Sequence, residues 1–131
     1  MKGNMMNWGL TIPQAILHAE KYNVDGQLIS RELDGSINST TYGASIKRSK
    51  RLANALTKLG VKIQDRVATI AWNNSRHFET YFAVSGMGAI LHTLNPRYSP
   101  DQLIYILNHA EDSVLIIDTT FIPLVESVQD K

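Results

Sequence analysis

The residues best placed to take part in chemistry follow a predicted buried strand. Asn95-Pro96-Arg97-Tyr98 comes directly after an apolar run that ends at Leu94. Open α/β sheets bind their ligands just outside the carboxyl ends of their strands, so Asn95 and Arg97 are the candidate cofactor-binding residues. An ordinary connection from strand to helix explains the same segment and is the favoured alternative.

Three other groups, His77, Glu79 and His92, could act as acids or bases. A general base must be held in place by partner groups, and the sequence alone does not locate such partners. Positions on a helix surface and in strand packing are therefore the favoured interpretation. The four histidines lack a metal-binding spacing such as His-Glu-x-x-His. We therefore assign no catalytic residue and no metal ligand.

Two segments resemble glycine-rich phosphate loops but have the wrong spacing. The run from Gly35 to Gly43 lacks the Gly-Lys-Ser/Thr ending, and its first glycine fits a turn. Gly86-Met87-Gly88 precedes a predicted strand instead of following one, and Leu91 stands where a third glycine belongs. Ser85 lacks the preceding glycine of a nucleophile elbow. We interpret these segments as a hairpin with a helix cap, and as the end of a helix.

These positions depend on a predicted alternation of helices and strands. Short apolar runs at 67–72, 89–94 and 114–117 predict three strands that are buried on both faces. Helices are predicted from Thr41 to Leu59, after Asn73-Asn74-Ser75, from Ser99-Pro100-Asp101-Gln102 and over 121–128. The inward residues are predicted to be Ile46, Ala53, Leu56 and Leu59 in the first of these helices, and Phe78, Tyr81, Phe82 and Ser85 in the second.

The amino-terminal region is predicted to form a separate set of small elements. Thr11-Ile12-Pro13-Gln14 has the residues of a capping box and begins a helix. An extended segment at 27–32, a turn at Asp34-Gly35 and a return over 37–40 predict a short hairpin. Strands separated by helices imply parallel βαβ units. The predicted fold is therefore α/β, part of a doubly wound sheet, and residues 1–131 form one domain without an internal boundary.

Composition excludes several classes of protein. Thirteen basic and twelve acidic residues give a net charge of +1, so no nucleic-acid partner is expected. No apolar stretch reaches the roughly 20 residues of a transmembrane segment. No cysteine is present, which fits a reducing compartment. The expected location is the cytoplasm, with peripheral contact to a membrane as an alternative.

Several motifs resemble the acyl-adenylate-forming superfamily, and more narrowly its AMP-forming medium- and long-chain fatty acyl-CoA synthetases. The broad resemblance rests on Leu52-Ala53-Asn54-Ala55-Leu56 and Leu59-Gly60-Val61, and on Asp65-Arg66-Val67-Ala68 followed by Asn73-Asn74-Ser75. The narrower one rests on Trp72-Asn73-Asn74-Ser75-Arg76-His77-Phe78-Glu79, Gly88-Ala89-Ile90-Leu91-His92-Thr93-Leu94-Asn95-Pro96-Arg97 and Asn108-His109-Ala110-Glu111-Asp112. Its most specific piece is the stretch from His92 to Arg97. The resemblance extends from about Trp8 to Lys131. One departure is Gln64-Asp65-Arg66, where the family has Gly-Asp-Arg.

The resemblance implies an acid–thiol ligase that joins a fatty acid to ATP and then transfers the acyl group to CoA, with help from magnesium (Mg²⁺). It also implies that the phosphate loop, metal motif and catalytic lysine lie downstream of this chain. The expected identity is therefore an amino-terminal fragment of the large AMP-binding domain. Acting alone, it would serve as an inactive scaffold without its own cofactor. Its partners would be those of the parent enzyme, together with a homodimer contact or association through the exposed sheet.

Two alternatives remain beside that interpretation. One is a module that binds a nucleotide or CoA near Asn95 and Arg97 without catalysis. The other is a structural partner that completes a separately encoded remainder of the enzyme.

Overall fold

The computed structural model describes residues 3–128; positions 1–2 and 129–131 of the predicted domain lie outside the described residues. The elements are α1 (Ile12–Tyr22), β1 (Gln27–Arg31), β2 (Ile37–Thr41), α2 (Tyr42–Lys58), β3 (Arg66–Ile70), α3 (Ser75–Gly86), β4 (Ile90–Thr93), α4 (Pro100–Ala110), β5 (Val114–Ile117), a 3₁₀ turn (Thr119–Phe121) and α5 (Ile122–Glu126). The strands β1 and β2 form an antiparallel hairpin, whereas β4, β3 and β5 form a parallel sheet in that order. The predicted α/β fold, with its amino-terminal helix, hairpin and parallel strands, is confirmed.

The central strand β3 separates two apolar cores. Val67 packs with residues of α2 and α3 on one face of the sheet, including Leu56 and Val84. Ala68 and Ile70 belong to the other core, which contains Leu103 of α4. The four strand residues from Val67 to Ile70 are at most 1% exposed, as expected for a strand covered on both faces.

The prediction that all three strands are buried is wrong for β4, and β5 does not meet it either, because its four residues are only half-buried. Ile90 is 50% exposed, and Thr93 is exposed as well. Among the described strands β4 pairs only with β3, so it lies at an edge of the sheet. An apolar run therefore indicated a strand correctly but did not reveal its place in the sheet.

Helix α2 begins as predicted, and of its predicted inward residues Ile46 and Leu56 are buried whereas Ala53 is only half-buried. The side chain of Thr41 accepts a hydrogen bond from the amide of Ala44 at 3.2 Å and caps the helix. Leu59 was predicted to face inward, yet it is 73% exposed because the helix ends at Lys58. Val61, which is 5% exposed, fills the core beyond the helix end instead.

The predicted inner face of α3 is also wrong. The buried residues are Ser75, Glu79, Thr80, Ala83 and Val84. The aromatic residues lie on the flank, where Phe78 contacts Tyr42 and Phe82 at ring-centroid distances of 6.2 and 4.8 Å. Apart from Glu79 the buried side chains are small, which lets α3 pack closely against α2, and large rings at these positions would hold the two helices apart.

None of the described helices combines the length and the apolar character that crossing a bilayer requires.

Candidate functional site

The candidate site lies at the carboxyl edge of the parallel sheet, where three loops begin side by side. The amide of Leu94, just after β4, donates to the carbonyl of Thr69 at 2.8 Å. The amide of Asp118, just after β5, donates to the carbonyl of Ile70 at 3.0 Å. The pairing of the strands thus continues into the loops, which places the segments after β4 and β5 on either side of the end of β3.

Side chains tie the loop after β3 to the loop after β5. The Trp72 amide donates to Oδ2 of Asp118 at 2.8 Å, and its indole Nε1 donates to Oγ1 of Thr120 at 3.0 Å. The Trp72 ring also lies 5.2 Å from the ring of Phe121. Sequence reasoning missed this cluster. Its available signal was the pair of polar residues Asp118 and Thr120 directly after a strand.

The predicted binding residues Asn95 and Arg97 lie in the third loop and contact each other. Oδ1 of Asn95 accepts a hydrogen bond from the Arg97 amide at 3.0 Å, and its carbonyl accepts one from the Tyr98 amide at 3.1 Å. Asn95 therefore fixes the shape of the loop. The exposed guanidinium of Arg97 has no hydrogen-bond or ion-pair partner among residues 3–128. It is available to hold a phosphate or a carboxylate.

His77, considered above as an acid or base, packs α3 against the central strand. Its Nε2 lies 3.1 Å from Oγ1 of Thr69, and its side chain is half-buried. Burial lowers the pKa of His77, while the negative charge of Asp118 opposes that shift. The imidazole is therefore mainly neutral at neutral pH and does not add a positive charge to the candidate site.

Glu79 and His92 are held by partners that indicate structural roles. Oε1 of Glu79 accepts hydrogen bonds from Ser45 Oγ at 3.1 Å and from Nε and Nη2 of Arg48 at 2.8 and 2.6 Å. The bond to Glu79 raises the pKa of Arg48. Glu79 is 7% exposed, so its predicted position on a helix surface is wrong. Nδ1 of His92 lies 2.8 Å from Oδ2 of Asp112 and links β4 to the segment before β5.

Residues 3–128 contain no cluster of three or more His, Asp or Glu side chains that could hold a metal ion. Glu79 and His92 are already held by partners within the chain. Among the described residues, the Arg97 guanidinium is therefore the group best placed to contact a ligand at the sheet edge. The arrangement can bind an anion and can stiffen the loops around it.

Comparison with known proteins gives consistent results. A family model described as AMP-binding enzyme matches residues 18–131. The chain is 47% identical over 131 residues to a 3-methylmercaptopropionyl-CoA ligase of Ruegeria lacuscaerulensis, covering 100% of this chain and 24% of the relative. It is 52% identical over 103 residues to a long-chain-fatty-acid–CoA ligase of Thermus thermophilus, covering 79% of this chain and 19% of the relative.

Solved structures show the same fold. The crystal structure of the anthranilate CoA ligase AuaEII in complex with anthranoyl-AMP has a TM-score of 0.85 to this chain at 22% sequence identity. The match covers 99% of this chain and 24% of that one. The chain thus spans about a quarter, or less, of the length of the relatives and the structure that it matches.

Proposed function

Because the chain belongs to the family of AMP-binding enzymes, we propose that it forms the amino-terminal part of an ATP-dependent fatty-acid–CoA ligase. The observation that carries this proposal is 47% identity to one CoA ligase along the full 131 residues. The reaction would convert a fatty acid, ATP and CoA into acyl-CoA, AMP and pyrophosphate through an acyl-adenylate. The names of the two relatives described above refer to different acids, so the proposal does not specify the acyl group.

In this proposal the chain supplies a scaffold and one binding group, and the reacting groups belong to the remainder of the enzyme. The parallel sheet would continue into that remainder as a single large domain that includes all of residues 1–131. No described residue cluster fits Mg²⁺, so no residue of this chain is proposed to hold it. Adenylation makes the carboxylate a better electrophile, and the metal ion and the lysine that offset the phosphate charge in this step would come from the remainder.

We further propose that the enzyme acts in the cytoplasm, with peripheral contact to membranes, and that it associates as a homodimer. The absence of cysteine supports a reducing compartment. The exposed edge strand β4 supports association of the amino-terminal parts.

A chimera tests the ligase proposal. Residues 1–131 would replace the matching segment of the Thermus long-chain-fatty-acid–CoA ligase, and acyl-CoA formation would be measured by chromatography with ATP, CoA and a series of fatty acids. We expect thioester formation that depends on all three substrates. A matched chimera with Ala68→Asp places a charge in the buried centre of β3 and should be inactive. A folded parent chimera without thioester formation would contradict the proposal.

Arg97 is proposed to bind a phosphate group of ATP or CoA. In the chimera, Arg97→Ala should raise the KM for one of these substrates about tenfold with little change in kcat, because a charged hydrogen bond contributes about 1.5 kcal/mol. Arg51→Ala is the matched control, since Arg51 is an exposed arginine of α2. Equal KM values for the Arg97 and Arg51 variants would show that Arg97 does not bind the phosphate group.

A further inference from the structure

Helix α2 is strongly basic, because its 17 residues include five lysines and arginines and no acidic residue. Two of the five are paired within the chain. Nη2 of Arg48 lies 2.6 Å from Oε1 of Glu79, and Nζ of Lys50 lies 2.6 Å from Oε1 of Glu20. The other three side chains are exposed and have no hydrogen-bond or ion-pair partner among residues 3–128. They belong to Lys47, Arg51 and Lys58.

These three cations lie in one row along the outer face of α2. With 3.6 residues per turn, positions 47, 51 and 58 fall within an arc of about 40° around the helix axis, over a length of about 16 Å. The buried residues Ser45 and Leu56 lie on the opposite side of the helix. We call Lys47, Arg51 and Lys58 the basic row. It is a continuous positive surface that faces away from the core.

Two exposed apolar side chains follow the basic row in the sequence. Leu59 is 73% exposed and Ile63 is 74% exposed. Each directly follows a lysine, Lys58 in one case and Lys62 in the other. Cations beside exposed apolar side chains are typical of surfaces that contact a bilayer, because the cations attract anionic headgroups while the apolar groups enter the boundary with the acyl chains.

The acidic groups around α2 leave the basic row positive. Glu20 and Glu79 each already hold another cation of the helix. Asp65, which follows the helix, accepts a hydrogen bond from the Lys62 amide at 2.8 Å. The whole chain has a net charge of only +1, so its attraction for anions is confined to local surfaces such as this one. The two apolar side chains favour a bilayer over a soluble polyanion, which would leave them in water.

We propose that the basic row, together with Leu59 and Ile63, is a docking surface for a bilayer that contains anionic lipids. The ammonium and guanidinium groups contact lipid phosphates, and the two apolar side chains enter the headgroup region. This inference rests on the proposed peripheral contact to membranes and assigns that contact to one face of α2. It does not depend on the ligase proposal.

Flotation of the 131-residue chain with vesicles in a density gradient tests the docking surface, because aggregated protein without bound lipid stays at the bottom. We expect the chain to float with vesicles of equal parts phosphatidylcholine and phosphatidylglycerol, and far less with phosphatidylcholine alone. High salt should release it, because exposed charges are screened. Equal flotation with both vesicles would overturn the basic row but leave the peripheral contact. No flotation with either would overturn both.

Two paired substitutions separate the basic row from positive charge in general. Arg51→Gln with Lys58→Gln should weaken binding to anionic vesicles about 25-fold, because each cation near an anionic surface favours binding about fivefold. Lys21→Gln with Arg31→Gln is the matched control, because it removes the same charge from exposed positions outside α2. Glutamine is a good helix former, and circular dichroism checks the fold of each variant. Equal binding by the two double variants would overturn the proposal.

A third pair distinguishes a bilayer from a soluble polyanion. Leu59→Ser with Ile63→Ser leaves the charge unchanged and should also weaken binding to anionic vesicles, because less apolar surface enters the lipid. Unchanged binding would mean that charge alone acts, as it would with a nucleic acid or an acidic protein. That result would overturn the assignment of the surface to a bilayer.

The chimera described above tests whether the remainder of a ligase leaves the basic row accessible. It should float with anionic vesicles, and Arg51→Gln with Lys58→Gln should weaken its flotation. Equal flotation of the chimera with and without this pair would show that the row is not the docking surface of a complete enzyme and would overturn the proposal. Thioester formation by the same chimera reports separately on the ligase proposal.

Discussion

Gln64 adopts the left-handed backbone conformation, with φ of 70°, in the turn before β3. Its amide donates to the carbonyl of Gly88 at 2.9 Å, which holds the turn against the end of α3. The resembling synthetases have glycine at this position, and glycine adopts positive φ without steric strain. Glutamine in place of glycine therefore introduces local backbone strain, but the turn before β3 is still formed.

Gln64→Gly should stabilise the chain. Left-handed geometry costs a non-glycine residue roughly 1 to 2 kcal/mol. Extra freedom of glycine in the unfolded chain cancels about 0.5 to 1 kcal/mol of the gain. The free energy of unfolding should rise by about 0.5 kcal/mol in urea titrations. Gln14→Gly, inside α1, is the control and should lower it; a Gln64→Gly protein less stable than the parent would refute this account of the turn.

His77 should make stability depend on pH. Burial lowers its pKa in the folded chain, so the unfolded chain takes up a proton first as the pH falls below about 6.5. The free energy of unfolding should therefore have its full value above that pH and decrease as the pH falls below it. His77→Gln should lose less stability between about pH 7.5 and about pH 5.5 than the parent chain.

His18→Gln, changed at an exposed position of α1, is the control and should behave like the parent. Identical pH profiles for the parent and His77→Gln would contradict this.

The structural role of Glu79 shows why sequence reasoning fell short at single residues. Its partners Ser45 and Arg48 are 34 and 31 positions away in the sequence. Periodicity treats a glutamate as a surface residue, and only the packing of α3 on α2 brings its neutralising partners close. The same limit applies to Trp72 and Asp118, which meet across 46 positions. By contrast Asn95 and Arg97 belong to one loop, and their loop could be located from the end of an apolar run.

At the scale of elements, two helix starts with similar sequences behave differently. Ser99 and Gln102 form a complete capping box at α4, with both hydrogen bonds at 3.0 to 3.3 Å. Thr11 and Gln14 were predicted to do the same at α1, but the Thr11 side chain accepts no capping hydrogen bond. The predicted box at α1 is therefore wrong, although the helix itself is present.

Removal of the two caps should have unequal effects. Ser99→Ala should lower the free energy of unfolding by about 1 kcal/mol, because the hydroxyl that accepts the hydrogen bond of the Gln102 amide is lost. Thr11→Ala should change it by less than about 0.5 kcal/mol. Urea titrations of both variants check this contrast. Equal losses would mean that the Thr11 side chain does cap α1 in solution.

The elements were predictable where a short stretch of sequence determines them. Capping residues, turn glycines and apolar runs gave all three strands of the parallel sheet, the hairpin and the main helices. Buried faces were less predictable, as α3 shows, because the choice between Phe78 and Ala83 depends on how closely a neighbouring helix approaches. The edge position of β4 likewise depends on pairing between distant segments.

At the scale of the whole molecule, the parallel sheet has two outer strands that each pair only with β3 among the described residues. Large apolar side chains are exposed on and near these strands, including Ile90 at 50% and Ile63 at 74%. Free strand edges and exposed apolar surface favour association between chains. Fold class and the parallel direction of the strands followed from alternating strands and helices, whereas the proposed reaction depends on family membership.

The isolated chain should therefore form oligomers, and a charge on the edge should oppose them. Sedimentation velocity is expected to show concentration-dependent association of the parent chain. Ile90→Lys should shift the population toward monomer, because lysine on an edge strand disfavours pairing. Leu59→Lys is the control, since Leu59 is exposed at the end of α2. A parent chain that sediments as monomer at all concentrations would contradict the expectation.

The central claim is that this chain contributes scaffold and binding surface to a ligase but no reacting group. The most direct test is pyrophosphate release by the purified 131-residue chain supplied with ATP, Mg²⁺, CoA and fatty acid. The account predicts release no faster than in a reaction without protein. Release that saturates with fatty acid, depends on the chain and is abolished by Ala68→Asp would show that catalytic groups lie within these residues and would contradict the account.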